Sequence, residues 1–93
     1  MSKVILQGYI VVPKNEIPIV LKELPLHINL TRQEDGCLVF RVERCEKDDK
    51  KFEVYEEFSS RDAFQLHQER VKSSRWGKIT ENVERHYKIT QMD

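Results

Sequence analysis

The sequence contains few residues that break regular structure and no excess of charge of either sign. It has three glycines, three prolines and two cysteines among 93 residues. Sixteen Lys and Arg residues balance sixteen Asp and Glu residues, so the basic surplus typical of a nucleic-acid-binding domain is missing. No apolar run is long enough to span a membrane, and no segment has the pattern of a signal peptide. We therefore expect neither a nucleic-acid nor a membrane partner.

The two cysteines, Cys37 and Cys45, lie at opposite ends of one predicted strand. An extended segment holds them too far apart to form a disulfide with each other. Free thiols are typical of the cytoplasm, which is the location we expect. No CxxC pair or His/Cys cluster indicates a metal site, so no metal is predicted.

The length of the chain predicts one domain over residues 1–93. A domain of this size buries only about 60–65% of the surface that its unfolded chain exposes. It has room for a core but hardly for a large cavity as well. Any pocket is therefore expected to be small, or to be completed by a second subunit.

Hydrophobic periodicity and turn residues predict the order β-α-β-β-α-β. Pro25 interrupts the periodicity of the first helix, which predicts a kink or two shorter helices. Gly36 is expected to end that helix, and Ser59 or Ser60 to cap the second one. Residues 73–82 are predicted to be irregular or to form one short helical turn. The four predicted strands cover 4–12, 37–44, 52–58 and 83–90.

With right-handed crossovers, this order predicts an α+β domain of the ferredoxin-like type. Its four-stranded antiparallel sheet would carry both helices on one face and leave the other face bare. Because a bare face with apolar side chains is unfavourable in a monomer, we expect a homodimer in which two sheets pack face to face.

One histidine lies on the apolar side of the second helix. Ala63, Phe64, His67 and Val71 share one helical stripe that should face the sheet. On the preceding strand, alternation directs Glu56 to one face and Tyr55 and Glu57 to the other. An imidazole that faces a core is either bonded to a structural partner, such as a strand carbonyl or Glu57, or has a chemical role.

Three segments are characteristic in combination: E-x-G-C-L-x-F, then F-x-x-x-E-x-F, then A-F-x-x-H. Together they resemble the antibiotic biosynthesis monooxygenase family, whose members are dimeric α+β barrels. The resemblance extends over nearly the whole chain. It implies a small-molecule enzyme, since the family includes cofactor-free monooxygenases of quinols and polycyclic phenols, haem-degrading enzymes and a sugar-phosphate isomerase. The matching positions are Gly36, Cys37, Phe40, Glu57, Phe58, Ala63, Phe64 and His67.

The resemblance favours a monooxygenase that oxidises a quinol or a polycyclic phenol with molecular oxygen and without a cofactor. Such an enzyme needs a dry aromatic pocket, a proton acceptor near the hydroxyl and donors for the developing oxyanion. We expect His67 and Tyr55 to be catalytic. The expected substrate-binding residues are Tyr9, Glu57, Phe58, Trp76 and Arg85.

Two other branches of the family are disfavoured by this sequence. The haem-degrading branch has A-F-x-x-W followed ten residues later by a haem-binding histidine, whereas this chain has His67 and Gly77 at those positions. No haem is therefore expected. The isomerase branch would have a second histidine soon after the first, but the next one here is His86. An isomerase and a non-catalytic small-molecule binding module remain as alternatives.

Overall fold

A computed structural model describes residues 3–92 of the chain. Within this range a single-turn 3-10 helix, Lys14–Glu16, precedes the first α-helix. The remaining elements, in chain order, are β1 Lys3–Val11, α1 Ile17–Arg32, β2 Cys37–Arg44, β3 Lys51–Phe58, α2 Arg61–Lys72, α3 Arg75–Ile79 and β4 Glu84–Met92.

The four strands form one sheet in the order β2-β3-β1-β4. Every neighbouring pair of strands is antiparallel. This arrangement confirms the predicted α+β, ferredoxin-like fold and places β4 at an edge. Of the helices in residues 3–92, none is long and apolar enough to cross a membrane.

The core lies between the helices and one face of the sheet, and it follows the alternation of the strands. Leu6 and Ile10 of β1 and Phe52 and Val54 of β3 are almost completely buried. The side chains between them point to the opposite face of the sheet. The same alternation buries Glu56 on β3 among these apolar residues.

Helix α1 continues through Pro25 without a break, so the predicted division into two shorter helices is wrong. Pro25 and Leu21 both lie on the exposed side of the helix. Water can therefore bond the Leu21 carbonyl that the proline leaves without its usual donor. The buried side of α1 includes His27 rather than Leu21.

The turn between α1 and β2 depends on Gly36. Its φ is 87°, in the left-handed region that glycine adopts without strain. A Cβ at this position would lie 2.6 Å from the Ala63 Cβ and 2.9 Å from the Ser59 Oγ. Gly36 therefore lets the turn approach the start of α2, where Ser60 is the N-cap.

Candidate functional site

A cavity of about 210 Å³ lies between the sheet and the three α-helices. Leu6, Ile10 and Val54 form its apolar floor. Polar side chains reach it from several elements, which is the usual composition of a small-molecule site. The residues that bring titratable or polar groups to its wall are His27, Glu56, His67, Gln68, Thr80, Arg85 and Tyr87.

His67 is held in place by a carboxylate from the turn before β2. Its Nδ1 lies 2.8 Å from Glu34 Oε1, and the other oxygen of Glu34 accepts a hydrogen bond from Arg70 Nε. Arg70 also donates to Thr31 Oγ1 at 3.0 Å. Because the Glu34 carboxylate only accepts hydrogen bonds, Nδ1 of His67 carries a proton, and Nε2 of the neutral ring is left with its lone pair.

Burial favours this neutral form of His67. The side chain is 3% exposed, and desolvation lowers its pKa from the ordinary value, against the opposing effect of Glu34. The ring of Phe58 packs behind the imidazole, with centroids 4.8 Å apart. At neutral pH the ring is therefore an oriented proton acceptor.

Glu56 provides a second titratable side chain close to Nε2 of His67. Its Oε1 lies 3.7 Å from His67 Nε2 and has no hydrogen-bond partner among the described residues. Burial, followed by repulsion from Glu34, raises the pKa of Glu56 to about 8. At neutral pH this side chain is mostly a carboxylic acid, so the cavity holds a proton donor next to a proton acceptor.

Aromatic rings adjoin His67 in the wall of the cavity. The rings of His27 and Trp76 are stacked, with centroids 4.5 Å apart and planes inclined by 5°. The edge of Phe40 meets His27 at 5.3 Å. Trp76 lies on α3, which Ser74 caps and which an Arg75–Glu23 ion pair of 2.8 Å joins to α1.

The cavity opens beside the edge strand β4. Arg85 and Tyr87 line it there, and both are exposed. Arg85 donates hydrogen bonds to Thr80 Oγ1 at 2.9 Å and to the Val83 carbonyl at 3.4 Å. Among residues 3–92 it has no carboxylate within ion-pair distance, so its guanidinium is available to an anion at the mouth.

Three of the predicted site residues lie on the other face of the sheet. The Tyr55 hydroxyl donates to Glu57 Oε2 at 2.5 Å, and Lys3 Nζ lies 2.8 Å from Glu57 Oε1. The hydrogen bond from Lys3 is the main cause that lowers the pKa of Glu57. Tyr9 stacks on His86, with ring centroids 4.6 Å apart.

The structure thus brings together His67, Trp76 and Arg85 at one cavity and places Phe58 behind the histidine. Within one chain it does not bring Tyr9, Tyr55 or Glu57 to that cavity, because adjacent residues of a strand face opposite sides. The glutamate that fits F-x-x-x-E-x-F between Phe52 and Phe58 is Glu56, and it is the one that faces His67. The assignment of Glu57 to that motif was wrong.

Three polar residues on which the site depends, Glu56, His27 and Glu34, were not predicted as site residues. Alternation placed Glu56 on the face of β3 opposite Tyr55 and Glu57, but its chemical use was not inferred. The helical spacing Val20, Leu24, His27, Thr31 could have identified His27 as buried. No local pattern identifies Glu34, since its contact with His67 spans 33 residues.

No group of three or more His, Cys, Asp or Glu residues within residues 3–92 is arranged to hold a metal ion.

The family model described as antibiotic biosynthesis monooxygenase matches residues 4–78. The match includes β1, both long helices and the motifs around Gly36, Glu56 and His67. The chain belongs to the antibiotic biosynthesis monooxygenase family. No curated protein matches the chain.

Solved structures of several organisms have the same fold. A Pseudomonas aeruginosa protein is 22% identical, with a TM-score of 0.79 over 99% of this chain and 93% of that one. A protein described as an antibiotic biosynthesis monooxygenase is 26% identical, with a TM-score of 0.70 over 100% and 97% of the two chains. A Shewanella oneidensis protein is 14% identical, with a TM-score of 0.69 over 98% and 88%. The first and third similarities show the fold alone.

Proposed function

We propose that this protein is a cofactor-independent monooxygenase that oxidises a quinol or phenol with molecular oxygen. The observation that carries the proposal is His67, a buried neutral imidazole held by Glu34, with Nε2 next to the protonated Glu56. Membership of a family named for monooxygenases supports it.

The proposed reaction begins with a proton transfer. Nε2 of His67 takes the proton of a substrate hydroxyl, while Glu34 stabilises the imidazolium that forms. The resulting anion is electron-rich enough to pass one electron to oxygen. The two radicals then combine, and a carbon–oxygen bond to a peroxide forms.

Glu56 is suited to the second half of this reaction. The imidazolium of His67 can protonate the distal peroxide oxygen, and the carboxylic acid of Glu56 can supply the second proton as the oxygen–oxygen bond breaks. The ring carbon that held the peroxide then loses its hydrogen as a proton to the Glu56 carboxylate and becomes a carbonyl. One oxygen atom stays on the substrate and the other leaves as water, so a quinol and one O2 yield a hydroxyquinone and one H2O. The substrate supplies all four electrons, and no external reductant is required.

The volume of the cavity limits the size of the substrate. A cavity of about 150 Å³ is sufficient to bind benzene, and the present cavity measures about 210 Å³. A substituted single ring or a fused pair of rings fits this space better than a larger polycyclic phenol. We therefore propose quinols of one or two rings as substrates.

Oxygen uptake tests this proposal directly. Metal-free, flavin-free protein should consume oxygen with benzene and naphthalene quinols faster than the autoxidation blank, and His67→Gln should abolish that excess. Tyr55→Phe is the matched control, because its hydroxyl lies on the opposite side of the sheet and its loss should leave the rate unchanged. Uptake at the blank rate, with a ligand recovered unoxidised, would instead support the non-catalytic binding module.

We further propose that the protein is a homodimer closed by the outer face of the sheet. That face carries the half-buried side chains of Ile5, Tyr9, Val39 and Tyr55 and is not covered by a helix. Sedimentation at micromolar concentration should give twice the chain mass, and a stable monomer would contradict this.

Because Cys37 and Cys45 are both free, we also propose a cytoplasmic location.

A further inference from the structure

A second cavity, of about 570 Å³, lies beside the one that His67 lines and is open to solvent. Helices α2 and α3 and the edge strand β4 contribute to its walls. The two cavities adjoin, because Gln68, Val71 and Arg85 line both of them. We call the cavity of His67 the inner cavity and the second one the outer cavity. The proposed reaction uses only the inner cavity.

Positive charge predominates in the outer cavity. Among the residues of the range 3–92 that line it, Lys72, Lys78 and Arg85 are cationic and only Glu81 is acidic. Within the same range, no carboxylate lies at ion-pair distance from any of the three cations. The whole chain has no net charge, so this is a local excess of positive charge, which attracts anions.

Arg85 is anchored where the two cavities adjoin. It donates to Thr80 Oγ1 at 2.9 Å, and Thr80 is completely buried and donates in turn to the Trp76 carbonyl at 2.7 Å. A longer bond joins Arg85 to the Val83 carbonyl. A guanidinium has five N–H donors, so these two bonds leave three for a ligand. Because an anchored guanidinium loses little freedom on binding, Arg85 is suited to hold a carboxylate or phosphate group.

We propose that the outer cavity binds an anionic group, so that the ligand of this protein carries a carboxylate or a phosphate in addition to the ring in the inner cavity. Arg85 bonds the anion where the cavities adjoin, and Lys72 and Lys78 attract it from the solvent side. The inference rests on the proposed function for the occupant of the inner cavity. It concerns an acidic substituent that the reaction with oxygen does not require.

Calorimetric titration with naphthalene derivatives that lack hydroxyl groups measures binding separately from oxidation. The protein should bind 2-naphthylacetate or 2-naphthylmethyl phosphate about tenfold more tightly than the neutral 2-naphthylacetamide, the effect of roughly one charge-assisted hydrogen bond. The preference should shrink when NaCl is raised from about 20 mM to about 300 mM, because salt screens exposed charges. The acid that binds more tightly identifies the anionic group. Acetate and inorganic phosphate alone should bind much more weakly, because they do not fill the inner cavity.

Substitutions assign the preference to the outer cavity. Arg85→Gln should reduce the affinity for the acids to that for the amide and leave the amide unchanged. The double variant Lys72→Gln/Lys78→Gln keeps the anchored guanidinium and should weaken the acids by about twofold to fivefold, as expected for exposed charges. Lys22→Gln is the matched control, because Lys22 is exposed on α1 and lines neither cavity. It should change neither affinity.

Several results would overturn the inference: acids that bind no better than the amide, free phosphate or acetate that binds as tightly as the naphthalene acids, or an equal loss for acids and amide in Arg85→Gln. If Arg85→Gln does not fold, the double lysine variant compared with Lys22→Gln makes the same test. Oxygen uptake with quinols is measured separately. A preference for acids without uptake would leave this inference standing and reject the proposed reaction, whereas uptake without that preference would do the reverse.

Discussion

The pH dependence of stability offers a direct test of the buried carboxyl group at Glu56. Glu56→Gln replaces the carboxyl with an amide of the same shape that does not ionise. In the unfolded chain Glu56 ionises near its ordinary pKa of 4.5, whereas in the folded protein its pKa is about 8. Between these two values the folded state holds a proton that the unfolded state has lost, so the wild type becomes less stable as the pH rises.

The size of the effect follows from the two pKa values. Each pH unit in this interval changes the free energy of unfolding by about 1.4 kcal/mol. Between about pH 5 and pH 8, the difference in unfolding free energy between Glu56→Gln and the wild type should therefore grow by roughly 3–4 kcal/mol in favour of the variant. Above the folded-state pKa both states are ionised, and the difference should become constant.

Urea denaturation of both proteins at matched concentration, across this pH range, provides the measurement. Matched concentration is needed because association would add to the apparent stability. His27 has the opposite trend, since its lowered pKa of about 3 makes the folded state gain stability as the pH rises to the ordinary value of 6.5. Both proteins contain His27, so its contribution cancels in the difference. A difference that stays constant with pH would show that Glu56 is ionised in the folded protein and would refute the proposed proton donor.

Three further outcomes are expected. Glu34→Gln should lower the free energy of unfolding by about 2 kcal/mol, because the charged hydrogen bonds of Glu34 are lost. It should also lower kcat for the best quinol by a larger factor than it raises KM. An unchanged kcat would argue against a role of Glu34 in orienting His67. Gly36→Ala should cost about 1–3 kcal/mol of stability, because alanine is strained at this φ and its Cβ would meet Ala63; a normal thermal melt would contradict this. In the wild type, kcat/KM should fall as the pH rises through about 8, because Glu56 loses its proton there. If Glu56→Gln shows a fall of the same size, the titrating group is not Glu56.

The fold could be predicted because its determinants are local. Alternation along β3 predicts Glu56 on one face of the sheet and Tyr55 and Glu57 on the other; the structure has that division, with Glu56 on the buried face. Ser60 caps α2 as one of the two predicted serines. Pro25 did not divide α1 into two helices; it lies on the exposed side, where water can bond the carbonyl that the proline leaves unpaired.

The candidate site could be predicted only in part. His67 was identified because a histidine on an apolar helical stripe is conspicuous in the sequence, and Trp76 and Arg85 do lie at the same cavity. The proposed pairing of His67 with Tyr55 overlooked the sheet between them. Side chains that are adjacent in sequence on a strand are separated in space by the thickness of the sheet.

The sequence by itself determined the order of the elements, the inward faces of the strands and the presence of one histidine among apolar side chains. These follow from periodicity and turn chemistry, which operate over a few residues. Only the tertiary structure decided that Glu34 bonds His67, that Glu56 lies beside its free nitrogen, and that His27 faces the same cavity. Such contacts join segments far apart in the chain, and the shifted pKa values arise from the burial that those contacts create.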